Sequence, residues 1–229
     1  MSTSLEKIIG PRTPKENLAE DRFRFRLPMI LFLIAALLLI ASIFLPYWKM
    51  TLQAPQYPKG LSITAYINKL TGDVGELDGL NHYIGMRPLA EAAQLERSLS
   101  IAAVSVLSLL LVAAIFIHSK YTVLLALPAI LYPFIFLGDM YFWLRNFGLN
   151  LDPTAPFSNS IKPFVPPILG VGKLAQFVTI AEVQSGFYLA LMASISILIG
   201  LYFQRQAYKP LVDFQAESGN QPATVSDLD

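Results

Sequence analysis

Four long, nearly uncharged runs of apolar residues constrain this chain more than any other feature of its sequence. A helix needs about 20 apolar residues to cross the hydrocarbon core of a bilayer, and its backbone groups must be hydrogen-bonded within the segment. The sequence therefore predicts a mainly α, integral membrane protein with four transmembrane helices. The predicted spans are residues 27–46, 98–117, 121–144 and 185–203.

The composition agrees with this class and excludes several others. Only 14% of the residues are charged, whereas ordinary soluble domains carry about 25%. The net charge of +1 gives no basis for binding nucleic acid, so we do not expect a nucleic-acid partner. We expect membrane lipid to surround the apolar spans. The chain has no cysteine and two histidines, which excludes disulfides, thiolate metal sites and a zinc site of several imidazoles.

The lengths of the connections decide which ends of the spans share a side. Three residues separate the second and third spans, so these two spans form a tight antiparallel hairpin. The other connections, residues 47–97 and 145–184, are long and lie together on the opposite side. We predict that these two loops form a small extracytoplasmic α+β cap.

Basic residues beside the spans predict the orientation, because cytoplasmic loops carry an excess of lysine and arginine. Three arginines precede the first span, Lys120 lies in the hairpin, and Arg205 and Lys209 follow the last span. Lys49 and Arg97 flank spans on the other side and weigh against this orientation. The juxtamembrane arginines favour a protein with both termini in the cytoplasm.

The segments outside the spans and the cap are expected to be cytoplasmic tails. Residues 1–26 form a cytoplasmic N-terminal tail, and the run that follows is too long for a cleavable signal peptide. Residues 204–229 are polar without apolar periodicity, which predicts a disordered cytoplasmic tail. Tyr47, Trp48 and Trp143 are expected at the outer membrane interface, where aromatic side chains collect.

The first long loop has the pattern of a folded element. Apolar residues alternate over residues 61–67, which is typical of a strand, and Thr51 and Leu52 are candidates to pair with it. The glycines of residues 72–79 predict turns. The sequence from Pro88 onward favours a helix that enters the second span.

The second long loop is rich in proline and is expected to be extended and stiff. Its GVGK sequence at residues 170–173 lacks the spacing of a phosphate-binding loop. Residues 174–181 are compatible with a strand or with a short interfacial helix. No nucleophile–base pair stands out in this loop.

The third span has two unusual features. Pro128 and Pro133 each remove a helical hydrogen bond, so we expect a kink. Asp139 is an acid inside a predicted span, and such residues usually face a bundle interior or the interface. A structural ion pair, for example with Arg145, is favoured over an ion or proton pathway.

The strongest chemical candidate is the pair His82 and Met86 in the first loop. Residues four apart share one face of a helix, and an imidazole with a thioether suits copper, especially Cu(I). The alternative is that His82 makes only a structural hydrogen bond and that Met86 packs in a core. Possible additional ligands are Met50, Tyr57, Asp73, Glu91 and Glu96.

Motifs in both loops resemble a family of small multi-span bacterial membrane proteins. Genes of that family lie beside those of copper proteins, particularly in nitrous oxide reductase maturation clusters. The resemblance covers roughly residues 44–187, and LNHYIGM at residues 80–86 is its most specific part. The other motifs are PYW at 46–48, APQYPKGL at 54–61, NLDPTAP at 150–156 and PFVPPILGVGKLAQF at 163–177.

The resemblance implies copper handling or assembly at the outer face of the bacterial inner (cytoplasmic) membrane, with His82 and Met86 as the residues carried over. It does not imply catalysis. Members of the family can carry a histidine near position 149, where this chain has Leu149. A site shared between the two loops would lack that ligand here.

Three functions follow from these observations. The first is a membrane-anchored accessory protein that binds or presents copper, or assists the assembly of a copper enzyme, at the extracytoplasmic face. The second is a structural or assembly subunit with other membrane or periplasmic subunits as partners, because apolar proline-rich segments dock well on proteins. The third, a transporter subunit, has weaker support since no inverted repeat is visible. We do not expect an enzyme, because the loops lack a serine–histidine pair at an informative spacing.

Overall fold

The computed structural model describes residues 22–157, 160–174 and 177–218, together with Ile9. Helices and strands in this part of the chain are numbered in chain order. The helices are α1 (Arg22–Ser42), α2 (Val74–Ile84), α3 (Gln94–Ala114), α4 (Tyr121–Leu149) and α5 (Ser185–Ser218), and a 3-10 turn covers Leu89–Glu91. The strands are β1 (Trp48–Ala54), β2 (Tyr57–Ala65), β3 (Leu70–Gly72), β4 (Gly170–Leu174) and β5 (Phe177–Val183).

Four of the helices, α1, α3, α4 and α5, are long and apolar enough to cross a membrane. Large apolar side chains remain exposed on them, such as Leu37 (61% exposed), Leu109 (67%) and Leu124 (65%). Exposed apolar surface of this extent is stable beside another apolar phase, not in water. Length and exposure together indicate a multi-pass membrane protein that also carries a small antiparallel sheet.

The helix ends differ from the predicted spans. Helix α1 begins at Arg22 and ends at Ser42, about four residues earlier at each end than the predicted range 27–46. Helix α3 likewise begins at Gln94, before predicted residue 98. Hydropathy marks the stretch that lipid can surround, whereas the hydrogen-bonded helix also includes the polar residues at its ends.

Helix α4 is continuous from Tyr121 to Leu149, through Pro128 and Pro133, and extends past the predicted end at residue 144. Proline is tolerated within membrane helices because neighbouring groups can bond the freed carbonyls. The extension carries the helix into the segment predicted as loop.

The prediction of a disordered tail from residue 204 is wrong for residues 204–218, which continue helix α5. Residues 219–229 lie outside the described residues. The extra helical turns have packing partners, because Tyr208 contacts Phe25 edge-on and stacks on His118, with ring centroids 5.3 and 4.1 Å apart. Burial of Ala207 and Tyr208 stabilises the helix beyond the lipid-length run.

One antiparallel sheet contains strands from both long loops, in the order β3-β2-β1-β5-β4. The predicted hairpin is confirmed, since Thr51 and Leu52 pair with Ser62 and Leu61. On its other edge β1 pairs with β5, which places Met50 opposite Ala181. The sheet therefore joins the two loops through backbone hydrogen bonds.

Two details of the loops differ from the sequence analysis. Gly75 and Gly79 were predicted as turn residues and instead lie within helix α2. Val74, Leu77 and Ile84 share its apolar side, and this helical spacing prevails over the local preference of glycine for turns. In the second loop, residues 177–183 form strand β5, which selects the strand among the two predicted possibilities.

The chain forms two compact units. Of the described residues, the first unit comprises Ile9 and residues 22–37, 107–130 and 193–218, and the second comprises residues 38–106, 131–157, 160–174 and 177–192. All strands and helix α2 belong to the second unit.

In the first unit, polar side chains of α5 bond to the backbone of α1 and of the hairpin that follows α3. The Ser196 hydroxyl donates to the Leu31 carbonyl at 3.0 Å. The Gln204 amide donates to the Ile117 carbonyl at 2.7 Å. Hydrogen bonds of this kind, together with close approach at small residues, hold membrane helices together.

In the second unit, Tyr47 and Trp48 are core residues, with their side chains buried in the protein. Tyr47 is fully buried with its hydroxyl 2.7 Å from the Ser42 hydroxyl, and burial raises the pKa of Tyr47 above its usual range. Trp48 is 3% exposed and its indole N–H donates to the Ile168 carbonyl at 2.6 Å. Aromatic residues with polar tips suit buried positions when such partners are present.

Candidate ligand-binding cavity

A cavity of about 780 Å³ lies within the second unit. Its wall combines residues of β1, β4 and β5, of α2 and α4, and of the proline-rich second loop. The volume falls within the range of roughly 300–1,000 Å³ that is usual for small-molecule sites. Both long loops are needed to enclose it.

The sheet forms one wall of the cavity by strand alternation and register. Met50 and Leu52 point to the same face of β1, because alternate residues of a strand do so. Leu52 pairs with Thr179, and Thr179 pairs with Gly172, so these three form a row across three strands. All of them line the cavity.

Helix α2 provides the opposite wall through residues at helical spacing. Leu77, Leu80, Asn81 and Ile84 all line the cavity. The helix ends directly afterwards at Gly85, whose φ of 80° is left-handed. The Met86 amide donates back to the Asn81 carbonyl at 2.8 Å, which completes a Schellman C-cap.

The second loop is fixed to this C-cap and to α4 by backbone hydrogen bonds. The Asp152 amide donates to the Gly85 carbonyl at 2.8 Å, and the Phe157 amide donates to the Tyr83 carbonyl at 3.0 Å. Farther along, the Phe164 amide donates to the carbonyl of Gly148 on α4 at 3.0 Å. These bonds bring Phe157 and Phe164 to the cavity wall.

Asn81 is the unusual residue of the wall. Its side chain is 7% exposed, and its amide nitrogen Nδ2 is buried without a hydrogen-bond partner. An unsatisfied buried donor costs about 1–3 kcal/mol. The amide is therefore ready to donate to an acceptor on a molecule in the cavity.

The structure separates the two residues predicted as copper ligands. Helix α2 ends at Ile84, so Met86 does not share a helix face with His82. Met86 is buried and lines the cavity together with Met50, whereas His82 is exposed and is not part of the cavity lining. The structure thus places Met86 in the cavity wall and His82 at an exposed position, and copper binding by this pair stays a prediction.

The additional predicted ligands are also dispersed. Asp73 accepts a hydrogen bond from the Ser62 amide at 2.8 Å and supports the turn after β3. Glu91 lies exposed on the 3-10 turn, and Tyr57 packs beside the core cluster of the sheet. Among the described residues, no three histidine, aspartate or glutamate side chains meet as a metal site would require.

The structure does place a carboxylate near His82. Hydrogen bonds from the side chain and the backbone N–H of Thr154 hold the pKa of Asp152 below its usual range, and His82 nearby acts in the same direction. The Thr154 hydroxyl and amide lie 2.7 and 2.8 Å from Asp152 Oδ1. Asp152 and His82 are both exposed, and they lie on the two loops that the Asp152–Gly85 backbone bond brings together.

Asp139 lies partly exposed on α4, with Glu96 and the Trp143 indole as the groups that act on its carboxyl. Arg145, the partner suggested by the sequence, is not among those groups. Glu96, another predicted ligand, lies in the first turn of α3. These residues form no part of the cavity lining.

Sequence reasoning missed the role of Asn81, although Asn81 lies within the LNHYIGM motif. The available signal was its position, since Leu77, Asn81 and Ile84 follow helical spacing and put one amide on an apolar face. The cavity itself gave no local signal, because it depends on register between distant strands. Comparison with known protein families, with curated proteins and with solved structures finds no match for this chain.

Gly85→Ala is expected to destabilise the protein by at least about 2 kcal/mol, because L residues are strained at positive φ. A Cβ there would also lie 2.6 Å from the Asp152 carbonyl oxygen. The matched control is Gly79→Ala on the same helix, where a Cβ meets nothing within 4 Å. That change should stabilise by about 0.5–1 kcal/mol. Thermal unfolding in detergent measures the stability of both variants. Equal unfolding midpoints would contradict the requirement for glycine at the C-cap of α2.

Proposed function

We propose that this chain is a membrane-anchored accessory protein that binds an apolar ligand in the cavity of its second unit. The observation that supports this function is a cavity of about 780 Å³ whose apolar wall contains one buried amide donor without a partner. Apolar walls supply affinity by burial, and a few polar groups orient the ligand. The cavity has the construction of a binding site.

The polar groups of the cavity favour binding over catalysis. Among the described residues, the lining contains no histidine, aspartate or glutamate. Proton transfer at neutral pH usually requires such a side chain within hydrogen-bond reach of the reacting group. Asn81, Thr179 and Lys173 can hold and orient a molecule, and they do not form a nucleophile–base pair.

The proposed location is the bacterial cytoplasmic membrane, with both termini and the short hairpin inside and the two long loops outside. Arg24, Arg26, Lys120 and Arg205 all belong to the first unit, at the ends of candidate spans or in the short hairpin. Excess basic charge favours the cytoplasmic side. The bacterial assignment rests on the resemblance of the loop motifs.

Copper presentation is a second candidate function, and the exposure of His82 and Asp152 on neighbouring segments of the two loops favours it. An imidazole nitrogen and an ionised carboxylate are donors that Cu(II) accepts, and both are accessible from solvent. Two donors form an open, weak site, which suits transfer to a partner protein better than storage. In this second candidate function, the copper site is separate from the cavity.

Orientation is testable with single cysteines, because the chain has none of its own. Lys59→Cys in the second unit and Lys120→Cys in the hairpin both replace exposed residues. In spheroplasts, a membrane-impermeant maleimide is expected to label position 59 directly and position 120 only after permeabilisation. The reverse pattern would place the second unit in the cytoplasm and refute the proposed orientation.

Ligand binding is testable by protection of a cysteine in the cavity wall. Leu80→Cys places a thiol in the lining, and Glu76→Cys places one on the exposed side of the same helix. Removing co-purified apolar molecules should raise the maleimide labelling rate at position 80 at least about tenfold, and leave position 76 unchanged. Identical rates at position 80 before and after extraction would argue against a bound apolar ligand.

The copper function predicts that His82→Ala weakens Cu(II) binding at least about tenfold, since one of two donors is lost. Met86→Ala should leave Cu(II) binding unchanged, because Met86 is buried in the cavity wall. Titration of detergent-purified protein measures both variants. If neither variant alters the affinity, His82 has no part in copper binding.

A further inference from the structure

We propose that the cavity holds an acyl chain of a glycerophospholipid from the surrounding membrane, and that the ester carbonyl of this chain accepts a hydrogen bond from Asn81. This inference rests on the proposed function and adds the chemical class of the ligand. Three parts of the protein match three parts of such a lipid. They are the apolar side chains and the Asn81 amide of the wall, and the ammonium of Lys173 at the exposed edge of the sheet.

The apolar part of the wall suits a flexible hydrocarbon chain. Leu52, Leu77 and Leu144 provide aliphatic surface from a strand and two helices. Met50 and Met86 lie in the same wall, and unbranched methionine side chains adapt to occupants of variable shape. Acyl chains vary in length and unsaturation, so an adaptable wall fits them better than a rigid one.

Asn81 requires an acceptor, and an ester carbonyl supplies one. The amide nitrogen is buried in an otherwise apolar part of the wall, where a hydrocarbon alone would leave it unsatisfied. In a glycerophospholipid, the carbonyl lies at the point where the apolar chain meets the polar headgroup. A single amide at one place in an apolar wall matches that arrangement.

Lys173 provides a positive charge beside the cavity. It is an exposed residue of β4, the edge strand of the sheet, one residue after Gly172, so its long side chain can reach a phosphate that lies outside the apolar space. Ammonium groups bind phosphate as point charges. A phospholipid combines a hydrocarbon chain, a carbonyl acceptor and a phosphate, whereas a neutral isoprenoid offers Lys173 no anion.

The membrane itself can supply the ligand. Leu144 lines the cavity and belongs to α4, whose residues Tyr121–Leu149 form one of the candidate membrane spans. The cavity therefore adjoins a helix that is surrounded by lipid elsewhere along its length. The backbone bond between Phe164 and Gly148 holds the second loop beside the same end of α4.

The test compares ester-linked phosphatidylglycerol with its ether-linked analogue, which has the same chains and phosphate without the carbonyls. Delipidated full-length protein is incubated with each lipid, and retained lipid is counted by native mass spectrometry. Wild type should retain the ester lipid about fivefold better, which is the effect of one hydrogen bond. Asn81→Leu, which keeps an apolar side chain of similar size, should abolish the preference. A preference that persists in Asn81→Leu would overturn the assignment of Asn81.

Two further variants separate the cavity from general lipid contact. Leu80→Trp fills the cavity and should remove retention of both lipids, whereas Glu76→Trp on the exposed side of α2 should match wild type. Lys173→Gln should weaken retention of phosphatidylglycerol several-fold and leave diacylglycerol, which has no phosphate, unaffected. Equal effects of Lys173→Gln on both lipids would contradict the proposed contact between Lys173 and the lipid phosphate.

The identity of any co-purifying molecule tests the proposed binding of an apolar ligand separately from the inference that this ligand is a phospholipid. If wild type retains an isoprenoid quinone or a lipid-modified peptide that Leu80→Trp loses, apolar binding stands and the phospholipid inference is overturned. If wild type and Leu80→Trp retain the same molecules in the same amounts, both are overturned. If wild type retains phospholipid and Leu80→Trp does not, the result supports both the proposed function and the phospholipid inference.

Discussion

The pairing of β1 with β5 is the constraint on which the second unit depends. Trp48 pairs with Val183; five residues separate α1 from β1, and one residue separates β5 from α5. The Gly186 amide also donates to the Pro46 carbonyl at 2.7 Å. Backbone hydrogen bonds therefore join the end of one candidate span to the start of another, and both long loops must fold around that junction.

This junction explains why residues expected at a lipid interface are buried. Tyr47 and Trp48 enter the sheet directly after α1, so their side chains lie in the core of the second unit. Each polar tip is bonded there, Tyr47 to Ser42 and Trp48 to Ile168. The same β1 strand then presents Met50 and Leu52 to the cavity, so the junction and the candidate site share one element.

The candidate site shows where local and distant information differ. Apolar spacing along α2 was present in the sequence, yet glycines at 75 and 79 led to a prediction of turns. His82 and Met86 were interpreted as one helical face, and the C-cap at Gly85 turns the chain between them. Asn81 is a candidate ligand-binding residue only because a cavity lies beside it. That cavity is enclosed by the second loop and by the row Leu52–Thr179–Gly172.

The sequence by itself determined the four apolar helices and the β1–β2 hairpin, because hydrophobic runs and short-range alternation act through neighbouring residues. The tertiary structure alone decided that β5 joins β1, that α5 continues to Ser218, and that Met86 lies in a cavity wall away from His82. The first two outcomes depend on contacts between residues more than 100 positions apart in the chain, such as Met50 with Ala181 and Phe25 with Tyr208. The third follows from the C-cap at Gly85 and from its backbone bond to Asp152. For a chain with this build, the spans can be predicted from hydropathy, while the site depends on how the loops between them pair.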